Sequence, residues 1–135
     1  MHPLPKSVES PLCDILIVDD DPILRTTLTE FMIRCGYTAQ SAKDGRVAIK
    51  MLEQCHVQLV ITDLFMPEVD GFELILHLRK TSPGSKILAM TGDGLSDLPS
   101  FMTAVKHLGG LHTLTKPFTL ADLEKAVREA IGEAG

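Results

Sequence analysis

Residues 14–22 of the chain read DILIVDDDP, an apolar run followed by three acids and a proline. The run is too short for a helix and is apolar throughout, so it predicts a strand that is buried on both faces. Pro22 suits the first turn of a helix, because its missing N–H would have no partner there in any case. The stretch therefore predicts a strand that ends in carboxylates and leads directly into a helix.

The same alternation of strand and helix recurs along the chain. Short apolar runs predict five strands, and segments with helical spacing lie between and after them. The predicted strands are Asp14–Val18, Tyr37–Ser41, Val57–Thr62, Lys86–Met90 and His112–Thr115, and the predicted helices cover 22–34, 45–54, 71–80, 96–108 and 119–131. Because parallel strands need right-handed crossovers, this order predicts an α/β fold with a parallel sheet and helices on both faces.

The length and composition are typical of one globular domain. The chain has 135 residues, of which 44% are hydrophobic and 23% charged, enough for a single core. Residues 1–12 contain three prolines without apolar periodicity, so we expect a flexible leader there. The domain itself is expected to cover residues 13–132, followed by a short tail at 133–135.

Charge and cysteine content argue against several classes of function. A formal net charge of -5 disfavours binding to nucleic acid or to an anionic membrane. The chain has no export signal and no run approaching the ~20 apolar residues of a membrane span. Its three cysteines are an odd number without CxxC spacing, which indicates reduced thiols and a cytoplasmic location.

Polar residues follow the predicted strands at the edge where such sheets bind ligands. Asp19 and Asp20 follow the first strand, Asp63 the third, Thr91 the fourth and Lys116 the fifth. Clustered carboxylates repel one another unless a cation compensates them, and oxygen ligands with open coordination positions suit Mg²⁺. A lysine and a hydroxyl group can stabilise an oxyanion. The set therefore predicts a phosphoryl-transfer site with a carboxylate nucleophile.

These residues, taken with three further motifs, resemble the receiver domain of response regulators over about residues 13–132. The further motifs are Met66-Pro67, Asp70-Gly71 and Lys116-Pro117-Phe118. The resemblance implies a flavodoxin-like, doubly wound fold with five helices and a five-stranded parallel sheet of order 2-1-3-4-5. It also implies that Asp63 accepts a phosphoryl group from a sensor histidine kinase or a histidine phosphotransfer protein. The chemistry would then be limited to the domain's own phosphorylation and dephosphorylation, so the protein is not expected to be an enzyme.

The resemblance assigns the metal ligands. Asp20, Asp63 and the backbone carbonyl of Phe65 would ligate Mg²⁺ or Mn²⁺ directly, and Asp19 would act largely through water. Asp21 is expected to cap the first helix instead of joining the site.

The resemblance also assigns the groups that respond to phosphorylation. Thr91 and Lys116 would bind the phosphoryl group, and the bond between Lys116 and Pro117 would be cis. The sequence departs from the family at Thr113, where receivers commonly carry the aromatic residue that turns inward as a switch. Signalling would therefore use other changes or partner-specific contacts.

A second interpretation is a haloacid-dehalogenase-like phosphohydrolase with Asp19 as its nucleophile. The acidic run after the first strand fits the DxD motif of that family. Against it, the acidic pair expected after the lysine and a cap insertion are missing, and Asp63 would have no role.

The chain carries no output domain after the last predicted helix. If this is its natural length, which its ordinary Met start favours, the protein would work by altered binding, as a phosphorelay intermediate, a phosphate sink or a diffusible regulator of another protein. If it was excised from a longer chain, the output domain is missing. It would be a monomer or a phosphorylation-dependent dimer.

Overall fold

The computed structural model describes residues 12–64, 71–92 and 111–132. These residues form the strands β1 (Leu12–Val18), β2 (Ala39–Ala42), β3 (His56–Asp63), β4 (Lys86–Thr91) and β5 (His112–Thr115), and the helices α1 (Pro22–Arg34), α2 (Gly45–Leu52), α3 (Gly71–Thr81) and α4 (Leu120–Gly132). All five predicted strands are confirmed, and so are four of the helices. The helix predicted over 96–108 lies outside the described residues.

The predicted leader and tail are mostly outside the described residues as well. The structure describes only Leu12 of the leader, and this residue already belongs to β1. The tail at 133–135 is not described. Within the described ranges, no helix combines the length and the apolar character that a membrane crossing requires.

The five strands form one parallel sheet in the order β2-β1-β3-β4-β5. This is the predicted 2-1-3-4-5 order, with β1 between β2 and β3. Val18 is paired with Thr62, and Asp63 with Met90. Because all the strands run in one direction, the residues that follow them meet at the carboxyl edge of the sheet.

The core consists of two apolar clusters, one on each face of the sheet. On one face, β1, β3 and β4 pack against α1 and α4 through Ile15, Ile17, Leu59, Ile61, Leu88, Met90, Leu28, Met32, Leu123 and Val127. On the other face, the same strands pack against α2 and α3 through Leu16, Val18, Val60, Ala89, Ala48, Leu74, Ile75 and Leu78. The prediction of helices on both faces of the sheet, a three-layer αβα arrangement, is therefore confirmed.

Helix α1 begins and ends as its sequence predicts. The Asp21 side chain accepts hydrogen bonds from the backbone N–H groups of Ile23 at 3.0 Å and Leu24 at 3.3 Å, so it caps the helix. Pro22 occupies the first helical position. After the helix, Gly36 adopts a φ of 101°, a conformation that glycine adopts without strain.

Helix α4 begins with a reciprocal pair of hydrogen bonds. The Asp122 backbone N–H donates to the Thr119 hydroxyl at 3.0 Å, and the Thr119 backbone N–H donates to the Asp122 carboxylate at 3.0 Å. Both bonds use N–H groups that have no partner inside the helix. They hold the pKa of Asp122 below its usual range.

We expect Thr119→Ala to lower the free energy of unfolding by about 1 kcal/mol, because it removes the hydroxyl that caps α4. Thr119→Ser keeps the hydroxyl and should lose much less. Urea unfolding of the three proteins at neutral pH measures both differences. Equal stability of the alanine variant and the wild type would contradict the capping role.

The lowered pKa of Asp122 predicts a dependence of stability on pH. A carboxyl whose pKa is lower in the folded state stabilises the protein above its unfolded pKa, and this contribution is lost as the pH falls through the folded pKa. The stability difference between wild type and Asp122→Asn should therefore shrink as the pH is lowered from 7 into the acidic range. Urea unfolding across a pH series would contradict the prediction if the difference stayed constant.

Candidate functional site

Three carboxylates converge at the carboxyl edge of the sheet. Asp19 and Asp20 follow β1, and Asp63 ends the neighbouring strand β3. One carboxylate oxygen from each of the three lies within 4.8 Å of the others. The fold therefore brings together the acidic residues that the sequence predicted as a cluster, and these oxygens could hold a metal ion.

Asp19 is the most buried of the three acids. Its side chain is 1% exposed, with one oxygen accepting a hydrogen bond from the Asp21 backbone N–H at 2.8 Å. The other oxygen lies 3.4 Å from the Lys116 ammonium group. The Arg25 guanidinium donates to the Asp19 backbone carbonyl at 2.8 Å. Both the backbone and the carboxylate of Asp19 are therefore fixed by neighbours.

Lys116 joins two of the acids. Its Nζ donates to Asp63 Oδ2 at 3.1 Å and to Asp19 Oδ2 at 3.4 Å. The backbone N–H of Lys116 donates to the Thr91 carbonyl at 2.7 Å, which anchors the residue to the end of β4. The peptide bond between Lys116 and Pro117 is cis, the conformation that the family resemblance predicted.

Burial and the neighbouring opposite charge shift the pKa values of Asp19 and Lys116 in opposite directions. Burial raises the pKa of Asp19, Asp63 raises it further, and the Asp21 N–H group and Lys116 oppose the rise. Burial alone would lower the pKa of Lys116, but the charges of Asp19 and Asp63 together bring the pKa above its usual value. One ammonium group compensates only part of the charge of three carboxylates, so a divalent cation would be stabilised here.

Thr91 lies at the end of β4 with no exposed surface, and its hydroxyl donates to the Thr115 hydroxyl at 3.4 Å. Beside Lys116, a cavity of about 520 Å³ is lined by Leu24, Gly92, Lys116, Pro117 and Phe118. Lys116 thus contacts the acidic cluster and also lines this mainly apolar cavity. The cavity leaves room for an incoming group next to the acidic cluster.

Two further site positions were predicted, Phe65 and Thr113. Phe65 lies outside the described residues, so its carbonyl stays a predicted ligand. Thr113 is exposed on β5.

Two contacts at the site went unnoticed in the sequence. Arg25 holds the Asp19 carbonyl, and Thr115 faces Thr91. No motif marks either residue. The register of β4 with β5, which pairs Thr91 with Thr115, would have been needed to find the second contact.

Comparison with known proteins gives a match to the family model of the response regulator receiver domain over residues 15–128. The DNA-binding transcriptional regulator NtrC of a Bradyrhizobium species is 31% identical over 125 residues, which cover 91% of this chain and 25% of that protein. The response regulator MprA of Mycolicibacterium vanbaalenii is 34% identical over 115 residues, which cover 84% of this chain and 48% of that protein. The chain thus spans about a quarter to a half of the length of these relatives.

Solved structures agree with this match along most of the chain. A CheY-like receiver domain protein from Methanospirillum hungatei superposes with a TM-score of 0.82 at 25% identity, covering 90% of this chain and 95% of that one. A receiver domain protein from Clostridium thermocellum gives a TM-score of 0.78 at 27% identity, covering 90% and 96%. The chain therefore belongs to the response regulator receiver domain family, the signalling domain of two-component systems.

Proposed function

We propose that Asp63 accepts a phosphoryl group from a histidine kinase or a histidine phosphotransfer protein, and that the domain then signals by altered protein binding. The proposal rests on the exposure of the Asp63 side chain. Asp63 is paired with Lys116 inside the acidic cluster, yet its side chain is 15% exposed, whereas that of Asp19 is 1% exposed. Among the acids that contact the lysine, Asp63 is the one that a donor can reach.

Accessibility also separates this proposal from a phosphohydrolase with Asp19 as nucleophile. A nucleophilic carboxylate must present an oxygen in line with the phosphorus atom. Both oxygens of Asp19 are already engaged, one by the Asp21 N–H and the other by Lys116. Asp19 is therefore better suited to hold a cation, directly or through water, than to attack.

The chemistry of the oxygen donors fits Mg²⁺ or Mn²⁺. We propose Asp19, Asp20 and Asp63 as the residues that hold the ion, with the carbonyl of Phe65 as a further ligand. When bound, the ion supplies charge neutralisation to the phosphoryl oxygens during transfer. The three carboxylate oxygens lie close enough together to share one ion.

In the transfer itself, a P–N bond of the phosphohistidine donor breaks and a P–O bond to Asp63 forms. The Lys116 ammonium group, 3.1 Å from the Asp63 carboxylate, then pairs with the new phosphoryl oxygens after a short displacement. Thr91, at the adjacent strand end, donates its hydroxyl to the same group. Neither residue has to cross the sheet to do so.

The partners follow from the family and from the charge of the chain. A phosphohistidine protein would donate the phosphoryl group, and an unknown downstream protein would bind the phosphorylated domain. We propose direct action on proteins in the cytoplasm, not on nucleic acid or membranes, because the chain carries a formal net charge of -5. The domain would act as a monomer or as a dimer formed upon phosphorylation.

We expect intact-mass analysis to detect one phosphoryl adduct after incubation with acetyl phosphate and Mg²⁺. The adduct should be absent without the metal and absent in Asp63→Asn, which keeps the shape of the side chain but removes its nucleophilic oxygen. An adduct that persists in Asp63→Asn would place the acceptor elsewhere. Hydrolysis of a generic phosphatase substrate that survives Asp63→Asn and is lost in Asp19→Asn would support the phosphohydrolase instead.

We expect Asp20→Asn to weaken Mg²⁺ binding at least about tenfold, because it removes a full charge a few ångströms from a divalent ion. Asp21→Asn is the matched control. Asn caps helices as well as Asp does, so this variant should stay folded and bind Mg²⁺ nearly as tightly as wild type. Calorimetric titration with Mg²⁺ compares the three proteins. Equal affinities in all three would remove Asp20 from the metal site.

A further inference from the structure

The hydroxyl groups of Thr91 and Thr115 face each other across the ends of β4 and β5. The two residues are register partners, and the Thr91 hydroxyl donates to the Thr115 hydroxyl at 3.4 Å. The Lys116 backbone N–H donates to the Thr91 carbonyl at 2.7 Å, which holds the two strand ends together at this point. The hydroxyl pair therefore lies next to the lysine that contacts Asp63.

The two hydroxyls are not equivalent, because their surroundings differ. Thr91 has no exposed surface, whereas Thr115 is exposed. Water can replace the partner of the Thr115 hydroxyl when the contact breaks. A buried hydroxyl that loses its acceptor has no such replacement, and leaving it without a partner is unfavourable. The contact therefore stabilises chiefly the present orientation of Thr91.

We propose that Thr115 is a positioning residue that holds the Thr91 hydroxyl in the unmodified protein and so opposes its transfer to the phosphoryl group. This inference rests on the proposed function, in which Thr91 binds the phosphoryl group on Asp63. To do so, Thr91 must give up its bond to Thr115. Thr115 thus sets part of the free-energy difference between the unmodified and the modified states.

The absence of an aromatic residue at Thr113 increases the importance of Thr115 for the response of β5. Thr113 and Thr115 lie two residues apart on β5, so both side chains stand on the same face of the sheet. Thr113 is exposed and has no aromatic ring that could follow a movement of Thr91. The Thr115 hydroxyl on β5 contacts the Thr91 hydroxyl directly, so a movement of Thr91 towards the phosphoryl group would release it.

The test is the affinity for beryllofluoride, a mimic of the aspartyl phosphoryl group, measured by calorimetry in the presence of Mg²⁺. Thr115→Val keeps the shape of the side chain but removes the acceptor, so the unmodified state loses a hydrogen bond that the complex does not contain. We expect beryllofluoride to bind about three- to tenfold more tightly, the equivalent of one hydrogen bond. Thr115→Ser restores the hydroxyl and should return the affinity to that of wild type.

Two comparisons separate positioning from a general structural effect. Affinity for Mg²⁺ alone should be equal in wild type and Thr115→Val, because the substitution changes no charge and removes a hydroxyl that contacts Thr91. In a Thr91→Val background the effect of Thr115→Val should disappear, because the contact is already absent there.

The outcomes also separate this inference from the proposed function. Wild type that fails to bind beryllofluoride would overturn both. Wild type that binds it, with Thr115→Val unchanged or weaker, or with Thr115→Ser matching the valine variant, would overturn the role of Thr115 alone.

Discussion

The contact of one lysine with two carboxylates is the interaction on which the rest of the site depends. Lys116 reaches Asp63 and Asp19, which are 53 and 97 positions away in the sequence. A parallel sheet with β1, β3, β4 and β5 side by side brings these distant residues to one edge. Without the ammonium group, the buried carboxylate of Asp19 would stand beside Asp63 uncompensated, a costly arrangement in a desolvated setting.

This contact is better understood as a preparation for chemistry than as a source of stability. Burying the Asp19 carboxylate costs free energy that the attraction of Lys116 only partly offsets. The raised pKa of Asp19 reflects that cost, since burial is its largest cause. A cation in the cluster would relieve the repulsion between the carboxylates, and under the proposed function a phosphoryl group would offer Lys116 a stronger partner. The stability of the fold comes instead from the two apolar clusters on either side of the sheet.

The sequence predicted the strands, because each depends on a pattern within a short segment. The strand order followed from the family resemblance, and the acidic cluster from the rule that parallel strands end at one edge of the sheet. The predicted element bounds were less accurate where a backbone N–H group bonds to the preceding helix and so moves the boundary. The second strand was predicted from Tyr37, but the Tyr37 N–H donates to Met32 and closes α1, so β2 begins at Ala39. The helix predicted to residue 54 ends at Leu52, because the Gln54 N–H turns to Met51. The choice of hydrogen-bond partner at these boundaries depends on the three-dimensional structure, and local sequence patterns do not predict it.

The same limit explains why Thr115 was not found. A threonine before a lysine is unremarkable in sequence, and its relation to Thr91 exists only because β4 and β5 pair in this register. The apolar clusters pack beneath the edge where these groups meet, so a hydroxyl and an ammonium group can change partners there without repacking the core. Under the proposed function, the domain would therefore couple the charge at Asp63 to β5 without an aromatic residue at position 113. The buried Thr91 hydroxyl would move to the phosphoryl group and release Thr115.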